Sequence, residues 1–174
     1  MALVRILVDG YNLIHAFQAY HKSRGKQYCS LLHNWPALAN GWPRHSAVAR
    51  EELIRTLTLY QDAIGTPITV FFDGGGAPTG TPAASSSREM EVLYSRAGKT
   101  ADELIERATH RFSAYGEVVA VTDDNAERET VTSLGGSACS CENFIRAIEN
   151  ALTEITDDIK HYNRRERHRF QQRK

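Results

Sequence analysis

The carboxylates of this 174-residue chain are concentrated where apolar runs end. Asp9 directly follows Leu3 to Val8, and Asp73 directly follows Ile68 to Phe72. Asp123 and Asp124 follow Val118 to Val121 after Thr122, and Asp102 with Glu103 opens a helical pattern beyond Met90 to Tyr94. Carboxylates held together repel and raise one another's pKa unless a cation compensates. A set of hard oxygen donors suits Mg²⁺ or Mn²⁺, which can activate a water and stabilise a phosphoryl transition state. Each acid also has a plainer reading. An Asp closing a strand forms Asx-turns. Thr100-x-x-Glu103 reads as a capping box, and Asp102 in a first helical turn favours the helix dipole. Together the four positions outweigh those roles, because a turn former is not required at every strand end on one edge.

The elements that would position these acids alternate. LVRILV, ITVFF and VVAV are short, nearly continuous apolar runs, as parallel strands covered on both faces require, and MEVLY is a fourth candidate. Leu53, Leu57, Tyr60 and Ile64 share one helix face, as do Ala101, Leu104, Ile105, Ala108 and Phe112. A third helix is expected from Asn125 to Leu134, stopped by Gly135-Gly136, and a last one from near Ser140, turning Phe144, Ile145, Ile148 and Leu152 inward. Alternating strands and helices predict an α/β fold, a three-layer α/β/α sandwich on a mainly parallel sheet. In such a sheet the C-terminal strand ends line the ligand crevice, which brings the acids to one rim. Residues 21–46, with Gly25, Pro36, Gly41 and Pro43, read as a long insertion or loop. Residues 74–87 read as a low-complexity, mobile loop.

Composition bounds the class. With 41% hydrophobic and 24% charged residues the chain is an ordinary globular domain, able to bury about two-thirds of its unfolded surface. The N-terminal apolar run is broken by Arg5 and closed by Asp9, too short for a signal peptide or a membrane span. The cytoplasm is the default expectation. Cys29, Cys139 and Cys141 form neither a disulfide framework nor a four-ligand zinc pattern, so inert thiols are expected.

An ordered set of motifs completes the reading. D-G-Y-N at Asp9–Asn12, F-D-G at Phe72–Gly74, K-T-A-D-E-L-I-E at Lys99–Glu106, V-T-D-D at Val121–Asp124 and G-G-S-A-C-S-C-E-N-F at Gly135–Phe144 resemble the YacP-like NYN-domain proteins, relatives of the PIN-domain nucleases. The resemblance runs from about Val4 to Ala151 and implies a PIN-like sandwich with metal-dependent endoribonuclease activity. It implies that Asp9, Asp73, Asp102 and Asp124 bind the metal and carry catalysis, with Asn12 beside the first. Asp123 stands where the family usually has Ser, and is a further candidate ligand. Ser140 occupies a family serine position, and its plainer reading is the N-cap of the last helix. RNA, and mRNA on the ribosome in particular, enters through this resemblance alone.

The charge distribution bears on the partner. Formal net charge is zero, yet residues 160–174 hold seven basic residues against Glu166, and the remainder holds 14 basic and 20 acidic residues. Residues 1–155 therefore read as the NYN domain and 156–174 as a basic C-terminal helix extension or tail. Arg164, Arg165, Arg167 and Arg169 in that segment, and Arg96 and Lys99 beside the helix-opening acid, are candidate RNA contacts. Arg88, Lys22, Arg24 and Lys26 could serve likewise, or be scattered solvated charges. Trp35 and Trp42 could stack on bases, although loop anchoring is the expectation. His15 is near enough to the first motif to be a base, but a packed histidine is expected. The function expected is RNA hydrolysis at a carboxylate-bound Mg²⁺ or Mn²⁺. The alternatives are a non-catalytic RNA-binding module of the same fold and a small-molecule phosphohydrolase.

Overall fold

The computed structural model describes residues 2–24, 46–74, 84–86, 90–96 and 98–171. Six strands form one sheet in the order β3-β4-β2-β1-β5-β6. They are β1 (Leu3–Asp9), β2 (Ile68–Phe72), β3 (Ala84–Ser86), β4 (Met90–Tyr94), β5 (Glu117–Val121) and β6 (Ser137–Cys139). All neighbours are parallel except β3, which pairs antiparallel with β4 at the edge. The helices are α1 (Gly10–Arg24), α2 (Ala47–Ile64), α3 (Ala101–Phe112), α4 (Asn125–Ser133) and α5 (Cys141–Gln171).

Alternation along β1 explains the layers. Ile6 and Val8 face a core shared with Leu13, Ile14 and Phe17 of α1, Leu53 and Leu57 of α2, and Phe144, Ile145 and Ile148 of α5. Leu7 faces the other side, against Ala101 and Ile105 of α3 and Val131 of α4. Both faces are covered, so the central strands are mainly apolar, and the expected three-layer α/β/α sandwich is the observed architecture.

The chain builds outward from β1 in one direction to β2 and β4, then crosses back to β5 and β6 on the other side. β1 is thus the point where strand order reverses, and the crevice beyond its C-terminal end is where such sheets bind ligands. The registers Asp9↔Phe71, Phe72↔Tyr94 and Val8↔Val121 bring the C-terminal ends of four strands to one rim.

Two local expectations are corrected. α1 runs through Arg24, so the loop expected over 21–46 begins as helix; its polar residues follow the turns of a helix whose other stripe is core. Ser46 caps α2, accepting from the Ala49 N–H at 3.2 Å. Within the low-complexity stretch, 84–86 form β3, because the open edge of β4 offers backbone partners that composition does not reveal. The short strand β6 is a further element that the apolar pattern does not predict. α5 continues across 155 and 156 without a break, so the basic segment through Gln171 is one helix with the core-packed portion. Lys26, Cys29, Trp35, Trp42 and Arg88 lie outside the described residues. Cys141 is buried and unpaired, with burial pushing its thiol far above the usual range.

Candidate metal centre

Asp9 ends the central strand and is 7% exposed. Gly10 follows because no side chain fits there. A Cβ would fall 2.3 Å from the Phe72 ring, which stacks against Tyr94 and meets Tyr11 edge-on. The start of α1 then turns Asn12 back onto Asp9, where its backbone N–H donates to Oδ1 at 3.0 Å and its amide to Oδ2 at 2.7 Å.

Asp73 is placed by the same device at the end of β2. The carbonyl oxygen of Ser95 would lie 1.8 Å from a Cβ on Gly74, whose N–H donates to the Ser95 hydroxyl at 2.8 Å. Asp73 Oδ1 accepts from the Ala101 N–H at 2.7 Å, tying the strand end to the first turn of α3. Thr100 caps that helix and accepts from the Glu103 N–H, as the capping box predicts, and Asp102 projects from the same turn. Asp124 caps α4, with Oδ1 accepting from the N–H groups of Ala126 at 2.8 Å and Glu127 at 3.3 Å.

These elements bring Asp9, Asp73, Asp102 and Asp124 around one cleft of about 250 Å³, with Asn12, Tyr11 and His15 on its wall. Capping and site placement therefore coexist for Asp73 and Asp124. His15 is exposed in this cleft rather than packed, since the core stripe of α1 passes through Leu13, Ile14 and Phe17 instead. Asp123 is turned elsewhere. Its Oδ1 accepts from the Cys141 N–H at 2.9 Å, at the start of α5, and it lines a neighbouring cleft. Ser140 caps the same helix, accepting from the Asn143 N–H at 3.3 Å. Arg96 and Lys99 are exposed at the turn before α3, and Arg164, Arg165, Arg167 and Arg169 are exposed on α5.

Sequence reasoning missed Glu127. It rises from the first turn of α4, is 3% exposed, and beyond a weak approach by the Thr122 hydroxyl neither carboxylate oxygen has a hydrogen-bond partner among the described residues. Burial pushes its pKa to about 7, the Thr122 hydroxyl opposes the rise in part, and Asp102, Asp9 and Asp124 add to it. One oxygen each from Asp9, Asp102 and Glu127 lie within 4.8 Å of one another. Burial likewise raises Asp9, against its Asn12 bonds and with help from Asp73. Asp102 is raised by burial, then by Asp9, Asp124 and Asp73. Three carboxylates strained toward protonation, one of them buried and unbonded, fit a divalent cation. The available signal was spacing: Glu127 stands three residues after the capping Asp124, on the same helical turn.

Comparison with known proteins gives the family and the fold. A family model described as the YacP-like NYN domain matches residues 6–174. The curated protein described as uncharacterized protein YacP, from Bacillus subtilis (strain 168), is 26% identical over 151 residues, which cover 86% of this chain and 78% of the relative. A crystal structure titled Rae1 (YacP) from Bacillus subtilis superposes with a TM-score of 0.70 at 23% identity, covering 95% of this chain and 84% of that one. A point mutant of the same protein gives 0.69, covering 92% and 84%. These structures share the fold. With the family model spanning nearly its whole length, the chain belongs to the YacP-like NYN-domain family.

Proposed function

We propose that the protein is a metal-dependent endoribonuclease that hydrolyses RNA at a Mg²⁺ or Mn²⁺ held by Asp9, Asp102 and Glu127, with Asp73 and Asp124 completing the acidic rim. The observation that carries this reading is the orphaned, buried Glu127 carboxylate beside Asp9 and Asp102 at the switch point of the sheet. When bound, a divalent ion supplies the charge that holds the scissile phosphate and lowers the pKa of an attacking water. The protein's own part is orientation and charge. Asn12 favours the ionised form of Asp9 and aims it, and α3 and α4 hold Asp102 and Glu127 on their first turns. Water rather than the ribose 2′-hydroxyl is the nucleophile, so the products carry 5′-phosphate and 3′-hydroxyl ends. Family membership supports nuclease chemistry, and RNA backbone is the partner that the basic portion of α5 suits, with Arg96 and Lys99 nearer the acids. The family resemblance extends the proposal to mRNA on the ribosome in the cytoplasm; no helix among the described residues is long and apolar enough to cross a membrane.

The deciding experiment incubates internally labelled RNA with the protein in Mg²⁺, Mn²⁺ or EDTA. Internal cuts with 5′-phosphate ends, lost in EDTA and reduced at least ~100-fold by Asp9→Asn, are expected. RNA retarded in a gel without cutting makes the protein a binding module. Phosphate released from small esters, with RNA left intact, makes it a phosphohydrolase.

A further inference from the structure

The metal cleft shares a wall with a second one. On α1, Asn12, His15, Ala16, Ala19 and Ser23 recur at i, i+3, i+4, i+7 and i+11, a single stripe of the helix. The neighbouring stripe, Leu13, Ile14, Phe17 and Tyr20, is core, with Tyr20 at its border, so the first is left half-buried or exposed. The stripe begins in the metal site, where Asn12 holds Asp9. His15, one turn on, lines both the acid cleft and a side cleft of about 390 Å³. Ala16, Ala19 and Tyr20 give that side cleft an apolar lining, and Asp123 and Glu142 supply carboxylates to it.

The lining decides what can sit there. Two alanine methyls beside the Tyr20 ring, whose hydroxyl is engaged by Glu149, make a surface suited to a planar ring. The facing carboxylates repel phosphate and attract N–H donors. Asp123 is fixed in place by the Cys141 N–H, whereas Glu142 leans toward Arg146 at 2.6 Å. A strand whose scissile phosphate lies against the acid cleft would have a neighbouring nucleotide beside His15. Single-stranded RNA presents splayed bases that proteins stack and read along their Watson–Crick edges. Lys22, exposed one turn beyond Ala19, is placed to meet the next phosphate.

We propose that this α1 side cleft is a nucleobase subsite for the nucleotide adjoining the scissile phosphate, with Asp123 selecting guanine. Guanine carries adjacent N1–H and N2–H donors, which match the two oxygens of a carboxylate; adenine, cytosine and uracil lack that pair of donors. The inference rests on the endoribonuclease reading. It also gives Asp123 a role apart from the metal, consistent with its carboxylate facing away from the acid cleft.

The test uses short single-stranded RNAs in Mg²⁺ that carry one central guanine, or adenine, cytosine or uracil in its place. Cleavage next to guanine is expected to be about tenfold faster than next to the others, the size of one bidentate base contact. Asp123→Asn keeps an oxygen for the Cys141 N–H but sets an amide donor against guanine's donors. It should reduce the preference to within about twofold, with the Mn²⁺-induced rise in Tm unchanged. Ala19→Trp, at an exposed helical position, should fill the cleft and flatten the preference in the same way. Cutting by the wild type without base preference, or a guanine preference that survives both substitutions, overturns the subsite and leaves the nuclease reading standing. RNA that stays intact with every metal overturns the nuclease reading and the subsite with it.

Discussion

Asn12 holds Asp9 by both carboxylate oxygens, through its backbone N–H to Oδ1 and its side-chain amide to Oδ2. These bonds favour the ionised carboxylate while burial works against it, and burial is the larger effect, so the Asp9 pKa lies above its ordinary value. Asn12→Ala removes one donor and should raise it further. Protons then compete better with metal. Mn²⁺ affinity is expected to fall about tenfold near neutral pH, the worth of one charge-assisted hydrogen bond, and to recover as pH rises. Metal titrations of Tm at two pH values check this; an equal loss at both would mean that Asn12 acts only through shape.

Glu127 links the site to folding. Its folded pKa of about 7 lies above the ordinary 4.5, so its favourable contribution is present below pH 4.5 and is lost as pH climbs to about 7. Metal-free protein should lose on the order of 2 kcal/mol over that window, with Asp9 and Asp102 acting in the same direction. Urea titrations in EDTA should show the loss, and Glu127→Gln should flatten it. Mn²⁺ should restore the wild type at pH 7.5 and leave Glu127→Gln almost unaffected.

Asp124 both caps α4 and lines the cleft, and the two roles can be separated. Asp124→Ser keeps an oxygen for the Ala126 and Glu127 N–H groups, whereas Asp124→Ala removes it. The Ala variant should lose about 1 kcal/mol of stability and the Ser variant little. Both should lose RNA cleavage at least about tenfold if the charge matters to the chemistry. Full activity in the Ser variant would reduce Asp124 to a cap.

The basic end of α5 can be tested by truncation. Residues 160–174 hold seven basic residues and one acid, on a body with an excess of acids. Arg164 and Arg167 share a shallow cleft with Lys160, while Arg169 is paired with Glu166 at 3.0 Å. Deleting 160–174 should weaken RNA binding and flatten its log–log salt dependence by about 0.7 for each phosphate no longer engaged. Turnover of bound RNA should change little. An unchanged slope would assign the phosphates to Arg96, Lys99 and Lys22 instead.

Much of this was legible in residue order. The apolar runs ending in Asp9 and Asp73 are strands at the stated positions, because a strand buried on both faces leaves no other pattern. Asp102 and Asp124 reach the same rim as expected, since strand ends in a parallel sheet share an edge. α1 was not legible, because its core residues are interleaved with His15, Gln18 and His21 and follow directly on a motif that draws attention to chemistry. β6 and β3 escaped because three-residue strands have no period to detect. Glu127 escaped for a different reason. In sequence it is one acid among several in a polar helix, and its spacing from Asp124 gains meaning only once the fold turns that face inward.

The position of β1 has a consequence for motion. It lies between β2 and β5 with Leu7 and Val8 fully buried, so its amides belong to the part of the protein that opens last. Asp9 therefore rides on the most slowly exchanging strand, while Asp102 and Glu127 ride on the first turns of two helices, where fraying begins. In the metal-free protein, repulsion among the three acids should be relieved by movement of those helical ends and not of the sheet. Amide hydrogen exchange would then show metal binding as slowed exchange at the N-termini of α3 and α4, with β1 already silent on both sides of the transition.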